Sequence, residues 1–175
     1  INFSNPASPS VTSSIDISSF GGGANSVAVS QGRLAVAVEA NDAQANGTVL
    51  VYSTSSLTSP SQYTVGALPD MVTFTPDGSA AVVANEGEPN DDYTTDPEGS
   101  VSIITFSSLT DVSSGTVVTL GFTGFNPQEA SLEEAGLRVN GPNATLAQDV
   151  EPEFITITPD SETAYVALQE NNGLA

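Results

Sequence analysis

The sequence predicts an all-β fold: a β-propeller fragment of about two and a half four-stranded blades, with one short helical insertion. Three observations predict it. Apolar residues come in short, β-branched runs bounded by turn residues. A strand–turn–strand unit recurs along the chain. Four strands fit into roughly 40–45 residues per copy, which is the spacing of a propeller blade.

Residues 1–23 read as a lead-in. The first copy, over 24–66, is degenerate. Val27-Ala28-Val29 and Leu34–Val38 form its first pair, and Val49–Tyr52 and Gln62–Val65 follow. The second copy, over 67–122, is the clearest. Met71–Thr75 and Ala80–Ala84 flank Thr75-Pro76-Asp77-Gly78, and Val101–Phe106 and Val117–Leu120 complete it. In that turn Pro presets one corner and Gly takes the positive φ of the exit. Residues 123–150 are an insertion. Gln128–Leu137 is its helical stretch, and Gly141-Pro142 breaks the chain beyond it. The third copy, over 151–175, repeats the first half of the second. Pro152–Asp160 aligns with Pro69–Asp77, and Thr163–Glu170 aligns with the strand ending at Glu86. Its third strand is expected to begin at about Asn172–Ala175. Blades bury their faces against neighbours, and propellers close with roughly four to eight of them. The chain is therefore expected to be a piece of a larger propeller, with the remaining blades among its partners. Ile1 in place of Met adds the expectation of a processed, cut or partly recorded chain.

Composition narrows the chemistry. The chain has 175 residues, 2 Lys+Arg, 21 Asp+Glu, no His and no Cys, for a net charge of −19. The cations are Arg33 and Arg138. A phosphate-tracking nucleic-acid binder needs a basic face, so that class is excluded. Without Cys or His there is no zinc finger, haem ligand, disulfide or Ser–His–Asp triad within the chain. No apolar run approaches the ~18 residues of a membrane span. What remains is oxygen chemistry, which suits hard cations: Ca²⁺ first and Mg²⁺ second. The acidity, the absence of Lys and the abundance of Ser and Thr point to an extracellular, secreted or cell-surface setting.

The topology gathers the acids. The start of a blade's first strand and the end of its second lie on one rim. Asp70 and Glu153 precede first strands; Glu39, Glu86 and Glu170 close second strands. All five are expected on one face around the central channel. The densest segment holds six acids in the fourteen residues 85–98. Glu86, Glu88, Asn90, Asp91, Asp92, Asp96 and Glu98 are its candidate metal ligands. Asp149, Glu151 and Glu153 form a second cluster before the third copy, and Glu170 faces the same rim. The alternative reading is a solvated acidic surface that aids solubility. The EF-hand spacing is absent. Glu129 and Glu133 are i,i+4 neighbours of the insertion and read as surface. No catalytic residue is assigned.

The segments ALPDMVTFTPDG over 67–78 and ANEGEPNDDY over 84–93 resemble the choice-of-anchor I domain family. So do DPEGSVSII over 96–104, AQDVEPE over 147–153 and LQENN over 168–172. The resemblance covers about residues 24–175, and the long acidic motif is its most specific part. YVTN-like propellers are a weaker match. The family resemblance implies an extracellular, anchored or secreted propeller of about seven blades, linked to calcium or mineral surfaces. Some bacterial members carry alkaline phosphatase names, but the resemblance supplies no catalytic set.

Three functional readings follow. The first is a secreted or cell-surface module that binds Ca²⁺ or a mineral surface through its carboxylate rim, in a matrix or biomineralisation setting. The second is a metal-dependent phosphoesterase acting on a phosphate-ester ligand; its weakness is the scarcity of cations to clamp phosphate. The third is a protein-interaction platform, for a matrix protein for example, in which the acids are incidental.

Overall fold

The computed structural model describes residues 1–175. The chain folds into antiparallel sheets in the order of the sequence. The first holds β1 (Gly23–Ser30), β2 (Arg33–Glu39), β3 (Asn46–Ser53) and β4 (Ser61–Ala67), side by side in that order. The second holds β5 (Pro69–Phe74), β6 (Ala80–Asn85), β7 (Ser100–Phe106) and β8 (Gly115–Gly121). The third holds β9 (Pro152–Ile157), β10 (Ala164–Leu168) and the short β11 (Gly173–Leu174). The first strands stand next to one another, β1 against β5 and β5 against β9. These are the blade-like sheets of a propeller fragment.

The sheets are held face to face by alternation along each strand. Between the first and second sheets lie Ala35, Ala37, Val49, Val51, Tyr63 and Val65 on one side. Val72, Phe74, Ala81, Val83, Ile104 and Phe106 meet them from the other. Removing a Val, Ile or Phe side chain from water contributes about 1.5–3 kcal/mol each. Between the second and third sheets, Val82 and Ala84 meet Ile155 and Val166, with Met71, Val101, Ile103 and Ile157 around them.

The turn that links first and second strands is built the same way twice. Asp77 Oδ1 accepts hydrogen bonds from Thr75 Oγ1 and the Ser79 N–H. Asp160 Oδ1 accepts from Thr158 Oγ1 and the Glu162 N–H. The positive φ of Gly78, +75°, is taken by Ser161 at 65° in the later copy. These bonds favour the carboxylate, and the Thr75 bond most of all brings Asp77 down to about 2.

Arg33 sits at this end of the sheets, away from the acids' rim. It is 1% exposed, with its guanidinium 5.0 Å from the Phe74 ring centre and 4.4 Å from that of Phe106. Nη2 donates to the Gly78 carbonyl, while Nε and Nη1 have no partner. The cation is thus held by two ring faces and one carbonyl, without a carboxylate.

The insertion departs from the single helix expected over Gln128–Leu137. It opens as a 3₁₀ turn over Thr123–Gln128, where Pro127 lies, and becomes α1 only over Glu129–Glu134. A second helix follows, α2 (Leu146–Asp149). A capping box starts it: Thr145 Oγ1 accepts from the Gln148 N–H, and Gln148 Oε1 accepts from the Thr145 N–H. Leu146 and Val150 bury themselves with Leu168, so α2 anchors the insertion to the third sheet.

Candidate metal centre

The carboxylates are aimed by a backbone irregularity that occurs in all three sheets. Register between first and second strands slips once at the same place: between Ala24 and Ser26, between Pro69 and Met71, and opposite Ala167–Leu168. The skipped residues are Asn25, Asp70 and Glu153. A bulge of this kind turns one side chain out of the alternation and re-aims it. Here it places one polar residue per sheet at the start of each innermost strand.

Asp70 and Glu153 meet Glu86, which follows the end of β6. One carboxylate oxygen from each of the three lies within 4.8 Å of the others, and all three residues are half-buried. Two oxygens bound to a single Ca²⁺ at about 2.3–2.6 Å can be at most about 5 Å apart. The trio therefore fits one coordination sphere. Burial, reinforced by Asp70, Glu88, Glu151 and Glu153, pushes the Glu86 carboxyl up to about 8. Burial likewise raises Asp70. The fold holds these acids together without a positive side chain to answer them.

A second group adjoins the first. Asp96, Asp149, Glu151 and Glu170 line a polar cavity of about 100 Å³, with Tyr93, Asn140 and Asn171. Burial, then Glu170, Glu88, Asp149 and Asp96, raises Glu151 to about 7. Asp96 is raised by burial and then by Asp149. Asp96 Oδ1 is buried and accepts no hydrogen bond. Asp149 is different. Its oxygens accept from the Asn140 and Gly141 N–H groups and from Asn171 Nδ2, so it fixes the insertion against the third sheet. Asn171 is 1% exposed and does the same from the other side, accepting from the Glu151 N–H and donating to the Arg138 carbonyl.

The acidic loop divides between these groups and the solvent. Glu86 enters the trio, Asp96 enters the cavity, and Glu88 is exposed but close enough to raise both Glu86 and Glu151. Asn90 and Asp92 are occupied by a local turn: Asn90 Oδ1 accepts from the Thr94 and Thr95 N–H groups, and Asp92 Oδ1 from Thr94 Oγ1. Asp91 is exposed beside a shallow groove that Glu151 and Glu170 also border. Glu98 lies apart, accepting from Thr123 Oγ1 at 3.3 Å. Glu39 is held by Asn25, whose Nδ2 reaches Glu39 Oε2 and the Pro69 carbonyl. Asn25 is the residue that sequence reasoning missed. It is the first sheet's equivalent of Asp70 and Glu153, and the signal was its place just before Val27-Ala28-Val29.

The loop returns to the sheet through Gly99. A Cβ there would overlap the Val150 carbonyl oxygen, and the Gly99 N–H donates to the Ala147 carbonyl at 3.0 Å. Only a residue without a side chain lets the end of the acidic loop pass this close to α2. Gln148 Nε2 adds a bond to the Asp96 carbonyl at 3.0 Å. The insertion is thus the wall against which the acidic loop is folded.

The choice-of-anchor I domain model matches residues 1–175. This chain belongs to the choice-of-anchor I domain family. The choice-of-anchor I assignment agrees with a surface-associated anchoring or binding module. No curated protein sequence matches it. Among solved structures it is similar to hydrazine synthase of Kuenenia stuttgartiensis, with a TM-score of 0.51 at 16% identity. That match covers 82% of this chain and 36% of the other, so the choice-of-anchor I chain spans about a third of the chain it resembles. At this identity the likeness speaks for the fold alone, and it fits the propeller-like arrangement of the sheets. No helix is long and apolar enough to cross a membrane.

Proposed function

We propose that this domain is a secreted or cell-surface binding module that takes up Ca²⁺ at its carboxylate rim, in a matrix or mineral setting. The observation that carries the reading is the convergence of Asp70, Glu86 and Glu153 within one coordination sphere. The orphaned Asp96 Oδ1 and the raised Glu151 beside it support a second cation in the adjoining cavity. Ca²⁺ suits such a site better than Mg²⁺, because carboxylates of uneven reach, two from strand bulges and one from a loop, meet its flexible coordination. The binding reading is preferred to phosphoester hydrolysis for a reason visible in the fold. Arg33, one of the two cations, is buried between aromatic rings and cannot clamp a phosphate.

Metal binding displaces the protons these carboxyls hold. With Glu86 titrating at about 8 and Glu151 at about 7, both carry protons near neutrality. Calorimetric Ca²⁺ titrations at pH 7, in buffers of different ionisation enthalpy, are expected to show release of about one proton per protein. Release should grow as the pH is lowered to 6. Saturable Ca²⁺ binding without proton release would place the ion elsewhere, and no binding would return the acids to a solvated surface.

A further inference from the structure

Residues 11–17 run outside any sheet, and towards their end burial alternates as in a strand: Ile15 and Ile17 are half-covered, while Asp16 and Ser18 are exposed. Ile15, Ile17 and Phe20 pack on Val36, Val38, Leu50 and Tyr52, the face of the first sheet turned away from the second. No backbone N–H from Val11 to Ile17 and no carbonyl from Val11 to Asp16 has a hydrogen-bond partner. A backbone run whose donors and acceptors are open is a template for strand pairing.

Its position repeats one already seen. β4, the outer strand of the first sheet, lies against β6, β7 and β8 of the second, then passes through Leu68 into β5. The 11–17 segment lies against β2 and β3 of the first sheet, then passes through Ser18–Gly22 into β1. Outer strand of one sheet, then inner strand of the next, is the connection in both cases. On the same face, Val27 and Val29 are 64% and 67% exposed. They take the places of Val72 and Phe74, which are buried where the second sheet meets the first. At the far end Phe154, 63% exposed, takes the place of Met71, which packs into the junction with the third sheet. The junction found twice within the chain is therefore open at both of its ends.

We propose that Val11–Ile17 is the outer strand of a further antiparallel sheet, supplied by the same polypeptide outside residues 1–175, whose inner strands cover Val27 and Val29. The occupant is a sheet because the surface it must match is the one β5–β8 match at the next junction. Its inner partners pair with the open ladder of 11–17, so that the lead-in closes a blade that the rest of the polypeptide begins.

Hydrogen exchange on the full-length natural polypeptide tests this. Amides of 11–17 are expected to exchange at least about 100-fold slower there than in residues 1–175 alone, where they lack partners. Asp16→Pro, which removes a donor and leaves Ile15 and Ile17 in place, should lower that protection in the full-length protein, while in residues 1–175 it costs only the exposed bond from the Ser18 N–H to Asp16 Oδ1. Val27→Asp should destabilise the full-length protein and be close to neutral in residues 1–175. Free exchange of 11–17 in the full-length protein would overturn the proposal. So would protection that appears in residues 1–175 alone as concentration is raised, because the occupant would then be a second copy.

Discussion

Without metal, the folded protein is expected to be most stable at about pH 4–5 and to weaken steadily towards pH 8. Glu86 moves from an ordinary 4.5 to about 8 on folding, and Glu151 from 4.5 to about 7. Between those values the folded chain holds protons that the unfolded chain has released. Stability therefore falls as pH rises through that window. The turn carboxylates act at the other end. Asp77, drawn from 3.8 down to about 2 by its bonds to Thr75 and Ser79, contributes stability that is lost as pH falls below 3.8. Glu86→Gln removes the larger of the two alkaline penalties. In chelator at pH 8 the variant is expected to melt several degrees above the parent, while at pH 4.5 the two should coincide. Thermal unfolding at fixed high ionic strength checks this, because added salt screens the general repulsion of the −19 charge and leaves the half-buried trio. A variant less stable than the parent at pH 8 would mean that Glu86 is held by an interaction absent from this account.

The second large effect lies at the opposite end of the sheets. Arg33→Ala empties the space between Phe74 and Phe106 and is expected to cost about 2–4 kcal/mol. For a chain of this size, each kcal/mol corresponds to about 2–4 °C in Tm. Arg33→Met keeps most of the volume, deletes the two donors that have no partner and gives up the Nη2 bond to the Gly78 carbonyl, so it is expected to stay within about 1.5 kcal/mol of the parent. Urea unfolding of both variants separates the terms. Equal, severe losses would mean that the charge on the rings and its bond to Gly78, and not the packing, hold this junction together.

Much of this architecture was legible because its cause is local. Period-two alternation marks the strands, and the Thr-Pro-Asp turns mark where they reverse. Asp70 and Glu153 could be set on one rim because each stands just before the apolar run of a repeated strand, although the strands themselves begin one residue earlier, at Pro69 and Pro152. What could not be read depends on chain segments meeting after long separations. The sequence shows one acidic loop, whereas the fold sends Glu86 to Asp70 and Glu153, Asp96 to Glu151 and Glu170, and leaves Asp91 and Asp92 outside. That division follows from α2 closing against Gly99, and α2 has only the Thr145…Gln148 capping box as a sequence signal. Asp149 looked like a free ligand until the Asn140 and Gly141 amides took its oxygens. Asn25 escaped notice because the bulge that aims it is a property of strand pairing, which no single segment records.

The central claim is that Asp70, Glu86 and Glu153 form a cation site. Its most direct test is thermal unfolding at pH 7.5 and fixed ionic strength in Ca²⁺, in Mg²⁺ and in chelator, for the parent and for Glu86→Gln and Glu153→Gln. At Ca²⁺ about 100 times Kd, the parent gains about 2.7 kcal/mol, which is about 5–10 °C for a chain of this size. The account predicts that rise in Ca²⁺, a smaller one in Mg²⁺, and loss of the Ca²⁺ rise in both variants. Equal midpoints in Ca²⁺ and chelator for the parent, or an undiminished rise in the variants, would contradict it.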